Sequence, residues 1–71
     1  MQGVWHLPDM DIDVVTQCKH EQHPVGVRHL RDFHGVLSLY PPSTLGLFAS
    51  ASGFTLYAQR YAGTLHLPLH H

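Results

Sequence analysis

At 71 residues the chain has room for one domain at most, and a chain this short buries only about 60% of its unfolded surface. With 44% hydrophobic and 13% charged residues it is too apolar for a disordered tail. A net charge of −1, with Lys19, Arg28, Arg31 and Arg60 as its fixed cations, is meagre for a protein that grips a polyanion by charge alone.

The elements follow in chain order. "GVWHL", residues 3–7, reads as a short strand, and "PDMD" (Pro8 to Asp11) has the residues of a tight turn. "IDVVTQCKH", Ile12 to His20, is β-branched and almost continuously apolar, as an interior strand should be. If these two strands pair through that turn, partner numbers sum to about nineteen, which sets Gln17 opposite Gln2. "HPVG" breaks the second strand. From Val25 to Leu39 the spacing of Val27, Leu30, Phe33 or His34, and Leu37 predicts one apolar helix face. His29 is expected exposed and His34 partly buried. "YPPS" ends this helix, because two prolines cannot continue it.

"TLGLFAS", Thr44 to Ser50, is a second interior-type strand. "ASGFT" leads into the short helix "LYAQRYA", with Ser52 or Thr55 as N-cap and Gly63 as C-cap. "TLHLPL", Thr64 to Leu69, alternates weakly and is expected as an edge strand because of Pro68; "HLPLHH" is expected to fray. Phe48, Phe54, Tyr57 and Tyr61 are expected in the core and helix packing. The order is β-β-α-β-α-β. Strands separated by helices imply an α/β class with at least one parallel pair, over a single domain spanning 1–71.

One cysteine rules out an internal disulfide and a cysteine-rich zinc module, and fits a reducing, intracellular setting. The N-terminus shows no secretory or transit signal. No apolar run approaches the roughly 18–20 residues that span a bilayer, so no membrane partner is expected.

The chemistry gathers at the end of the second strand. Asp13, Val15, Gln17 and Lys19 share one face, with Val14, Thr16 and Cys18 on the other. A metal-dependent phosphodiesterase needs an oxygen ligand and a cation at such a place. Gln17 offers an amide oxygen, Lys19 an ammonium, and Cys18 its backbone carbonyl. A Q-x-K tripeptide alone is very weak support; a strand that simply ends in polar residues is the commoner origin of such a triplet. The Cys18 side chain reads as a small core residue. Asp13 is on the right face but about 13 Å up the strand, too far to share one Mg²⁺ with Gln17. Arg28 and Arg31 reach phosphate or merely solvate a helix face. His20 and His23 in "HEQH" fall one residue short of a zinc-protease motif, leaving zinc binding as a third reading.

In order along the chain stand Gln17-Cys18-Lys19, Pro24-Val25-Gly26, Arg31-Asp32-Phe33-His34-Gly35, Leu45-Gly46-Leu47-Phe48, Ser52-Gly53-Phe54-Thr55, then Ala58 and Ala62. This series resembles the Mrr-type restriction endonuclease domain of the PD-(D/E)xK nuclease superfamily. "GVWHLP" resembles in particular the offshoot containing fungal mitochondrial proteins described as required for respiratory growth. The resemblance implies a restriction-endonuclease-like α/β sandwich with a small mixed sheet, truncated at its N-terminus, and DNA as partner. It implies a Mg²⁺-dependent DNA endonuclease, with Gln17 as the amide in the acidic-ligand position and Lys19 as the catalytic lysine. Gln17 and the Cys18 carbonyl would face the metal; His20, Arg28 and Arg31 would face nucleic acid. A mitochondrial location is implied by the resemblance only. The family's first catalytic aspartate would fall upstream of Met1, so the chain alone is expected to be inactive or weak. The alternative is a non-catalytic nuclease-fold unit that associates with protein or nucleic acid. An exposed sheet edge and apolar face are expected to favour self-association.

Overall fold

The computed structural model describes residues 2–71. Its elements are β1 (Gln2–His6), β2 (Asp11–Lys19), α1 (Val27–Leu37), β3 (Leu45–Ser50), α2 (Leu56–Leu65) and β4 (Leu69–His70). They form one four-stranded mixed sheet in the order β1-β2-β3-β4. The hairpin β1–β2 is antiparallel, and β2–β3 and β3–β4 are parallel. This is the α/β, β-β-α-β-α-β architecture that the residue pattern predicts.

The two crossovers step in the same direction across the sheet, so a right-handed connection puts both helices on the same face. The core confirms that placement. Leu30 and Phe33 of α1 and Ala58 and Ala62 of α2 cluster on Val15 of β2 and Phe48 of β3. Gly46, register-opposite Val15, lets α1 approach: a Cβ there would lie 2.3 Å from Leu37 Cδ1. Phe48 is 1% exposed and meets Phe33 and Phe54 edge-on, with ring centroids 5.4 and 5.8 Å away.

The opposite face carries Trp5, Ile12, Val14, Thr16, Cys18, Leu45, Leu47 and Ala49, and no described helix covers it. Cys18 is consequently exposed, not in the core. Tyr57 is also exposed, on the outer side of α2. His29 is half-buried and His34 exposed, the reverse of the expectation; Phe33 takes the buried position in that turn of α1.

Several boundaries move for local reasons. The hairpin pairs to its very end, from His6–Asp11 to Gln2–Val15, and closes with Leu7 N–H donating to the Met10 carbonyl at 2.8 Å. Partner numbers therefore sum to seventeen, and Gln2 stands opposite Val15, not Gln17. Val25 is held extended by a parallel bridge to Phe54, its N–H donating to the Gly53 carbonyl and its own carbonyl accepting from Thr55. Helix α1 then starts at Val27. Of the two candidate caps for α2, Thr55 serves: its Oγ1 accepts from Ala58 N–H at 3.1 Å. Gly63 lies inside α2, which runs on to Leu65 and ends with His66 in the left-handed conformation at φ 53°. The last strand shrinks to Leu69–His70, and His70 pairs with Ala49 instead of fraying.

Candidate active site

Parallel strands followed by helices bring their carboxyl ends and the helix N-termini to one edge of the sheet. Lys19 ends β2 and Ser50 ends β3 there, directly opposite one another. Gln17 stands opposite Phe48. Both Gln17 and Lys19 therefore belong to the helix-covered face. Burial decreases along β2 from Val14 and Val15 to an exposed Gln17, while Lys19 keeps a half-buried position.

The loops weld this edge together. Ala51 N–H donates to the Lys19 carbonyl at 3.1 Å. Ser50 is 4% exposed, and its Oγ accepts from Ser52 N–H at 3.3 Å. The Ser52 hydroxyl in turn donates to the Glu21 carbonyl, tying the segment after β2 to the segment after β3. Gly53, at φ 79°, makes the left-handed turn that carries the chain into Phe54 and the cap of α2.

Lys19 Nζ stands 3.7 Å from Glu21 Oε1, with the two side chains 29% and 56% exposed. Glu21, inside "HEQH", adds to this edge a carboxylate whose position two residues past a strand-end lysine is a usable sequence signal. A shallow cavity of about 160 Å³ lies at the same edge, bordered by Cys18, Lys19, His20, Ser50, His70 and His71. The two C-terminal histidines come to Lys19 through the pairing of β4, which composition gave no reason to expect.

The other candidates distribute differently. His20 is exposed and adjoins Lys19. Arg28 is exposed in the first turn of α1. Arg31 is directed to the neighbouring helix, its guanidinium carbon 5.9 Å from the Tyr61 ring centroid. Asp13 shares the face of Gln17 but pairs with Val4, in the hairpin half of β2. Asp11 lies further along still, bonded to His6 Nδ1 at 2.9 Å.

As a Mg²⁺ site the donor set falls short. The Gln17 amide oxygen and the Cys18 carbonyl are both neutral, whereas Mg²⁺ wants carboxylate oxygen in an octahedral shell. Among the described residues no three of His, Cys, Asp or Glu are grouped to hold a metal, which applies equally to zinc at the histidines. The described residues do not fit the metal. Nor, among the described residues, is any helix long and apolar enough to cross a membrane.

A mixed sheet with both helices on one face and a Gln-x-Lys pair at a strand end is consistent with a restriction-endonuclease-like α/β fold. The family model for restriction endonuclease catalytic domains of Mrr type matches residues 4–69, and the chain belongs to that family. It is also 36% identical over 56 residues to an uncharacterized mitochondrial protein of Schizosaccharomyces pombe, covering 79% of this chain and 23% of that protein. The chain thus spans about a quarter of that relative's length. No solved structure matches. Restriction-endonuclease domains generally use divalent metal ions, and that family habit stands beside a chain whose own donor set does not meet it.

Proposed function

We propose that this chain is a nuclease-fold unit of Mrr type that contacts DNA through the strand-end edge and, on its own, cleaves weakly or not at all. In this reading Gln17 and Lys19 occupy the family's amide and lysine positions. The Lys19 ammonium meets phosphate charge, and the Gln17 amide orients a phosphate oxygen or water. His20 and Arg28 add contacts to the backbone, which positions without reading sequence.

The observation that carries this reading is the placement of Gln17 and Lys19 on one face at the end of β2, with no group of metal-holding side chains among the described residues. Among the described residues the carboxylate on the same strand face, Asp13, is four residues back along β2 from Gln17. A mitochondrial location belongs to the same reading, supported by the name of the fungal relative.

Supercoiled plasmid incubated with the purified chain and Mg²⁺ tests it. Retention of the supercoiled form is expected, together with band retardation at low salt that Lys19→Ala weakens. Mg²⁺-dependent nicking that Lys19→Ala abolishes would instead make the chain an active endonuclease. Loss of both cleavage and retardation in the folded chain would leave association with another protein as its role.

A further inference from the structure

Between the end of β2 and Val25 the chain runs as His20-Glu21-Gln22-His23-Pro24, without regular structure. Backbone bonds to the loop after β3 hold both ends of this segment. Ala51 N–H donates to the Lys19 carbonyl at 3.1 Å, and Val25 N–H donates to the Gly53 carbonyl at 2.9 Å. Between these anchors, among the described residues, one hydrogen bond fixes the segment: the Ser52 hydroxyl donates to the Glu21 carbonyl. Ser52 is itself oriented by its N–H, which donates to Oγ of the buried Ser50 at 3.3 Å. Its hydroxyl is not needed as a helix cap, because Thr55 caps α2. The backbone that Ser52 fixes carries the carboxylate standing 3.7 Å from the Lys19 ammonium.

We propose that Ser52 is a positioning residue for the phosphate contact: its hydroxyl holds Glu21 against Lys19, so that DNA displaces the Glu21 carboxylate to reach the ammonium. The proposal rests on the reading of the Lys19 edge as the DNA contact. An exposed ion pair gains little when two long side chains have to be ordered for it. Ser52 lowers that cost, since a fixed Glu21 backbone leaves only its side-chain torsions to be ordered. Without the bond, Glu21 belongs to a segment held only at its two ends, and the carboxylate swings away from Lys19. An incoming phosphate then meets the ammonium without a like charge beside it. The anchor lies 31 positions after Glu21 in sequence, so the loop between β3 and α2 governs the charge at the end of β2.

Ser52→Ala removes the hydroxyl and keeps the N–H that bonds Ser50, whereas Ser52→Thr keeps both. Position 52 has no positive φ, so either side chain adopts its backbone without strain. DNA retardation at low salt, with these variants combined with Glu21→Gln, provides the test. Ser52→Ala is expected to bind about two- to fivefold more tightly, the gain that release of an exposed ion pair allows. Ser52→Thr is expected to bind as wild type does. Beside Glu21→Gln, Ser52→Ala is expected to change nothing, because no carboxylate is left to hold. Should circular dichroism show Ser52→Ala unfolded, Ser52→Cys, whose thiol is a weak donor, is read in its place. Weaker retardation in the folded variant, or a gain that persists in full beside Glu21→Gln, would make Ser52 merely structural and overturn the proposal. NMR of the Glu21 side-chain carboxyl carbon, without DNA, separates this from the reading beneath it. That carbon is expected to shift in Ser52→Ala and to stay in place in Ser52→Thr; an unmoved signal in both overturns the proposal. A shifted signal in a chain whose wild type retards no DNA would overturn the DNA reading and, with it, the role of the clamp.

Discussion

Lys19 Nζ and Glu21 Oε1 stand 3.7 Å apart across the end of β2, so the strand-end ammonium has a carboxylate neighbour. Both side chains reach solvent, and such pairs stabilise by about 0–1 kcal/mol. Glu21→Gln is therefore expected to leave the urea midpoint almost unchanged. It raises the local charge by one, however, and frees the ammonium for phosphate. DNA retardation at low salt should strengthen in Glu21→Gln and weaken in Lys19→Ala. A plot of log affinity against log salt should become shallower by about one in Lys19→Ala. Equal slopes in wild type and Lys19→Ala would remove Lys19 from the interface.

Gly46 carries a second expectation. Its place opposite Val15 puts it under α1, where an added Cβ meets Leu37 Cδ1 at 2.3 Å and Cγ at 3.2 Å. Leu37 sits in the last turn of α1 and can turn its tip aside, so Gly46→Ala is expected to cost about 1–3 kcal/mol and still fold. Gly46→Val leaves Leu37 less room. Paired with Leu37→Ala, the alanine at 46 should regain part of the loss, since the clash is with that side chain. Denaturation of the two single variants and the double variant measures the coupling.

The contrast between Phe48 and Cys18 shows what the sequence made legible. Both stand on strands that read as continuously apolar, and that pattern predicts burial on both faces. The prediction holds for Phe48, because α1 and α2 lie on its face, and fails for Cys18, because no described helix lies on the other. Periodicity reports how apolar a strand is; it does not report which element will cover it. Turn chemistry limits the hairpin similarly. "PDMD" announces a turn, but whether Leu7 and Met10 close it decides the register, and that shifts Gln2 from Gln17 to Val15. The pair Gln17 and Lys19 was legible because strand alternation is local. His70 was not, because it reaches that edge through a parallel pairing far apart in sequence.

Phe48 is the residue on which the core closes. Fully buried, it holds Phe33 of α1 and Phe54 before α2 by edge-on contacts. Phe48→Ala is expected to cost about 3–5 kcal/mol. A chain of 71 residues has a total stability of about 4–11 kcal/mol, so this one change removes much or all of it. Far-UV circular dichroism with temperature should show a broadened or absent transition, whereas Phe48→Leu should keep a cooperative one. A sharp transition in Phe48→Ala at the wild-type temperature would mean that the helices are held elsewhere.

The end of α2 yields a stabilising change. His66 occupies the left-handed position at φ 53°, where its N–H donates to the Gly63 carbonyl at 3.3 Å while Leu67 N–H donates to the Ala62 carbonyl at 2.9 Å. This pairing of bonds closes a helix and ordinarily has glycine at the left-handed residue. A side chain there costs about 1–2 kcal/mol, and glycine returns part of that gain as backbone entropy lost on folding. His66→Gly is therefore expected to stabilise by about 0.5–1 kcal/mol, read as a higher urea midpoint with an unchanged slope. The exposed imidazole lines a cavity with His34, Leu37 and Thr44, away from the Lys19 edge, so DNA retardation should not change. His66→Ala keeps the Cβ and should gain nothing. If alanine stabilised as much as glycine, the backbone conformation would not be the source of the cost.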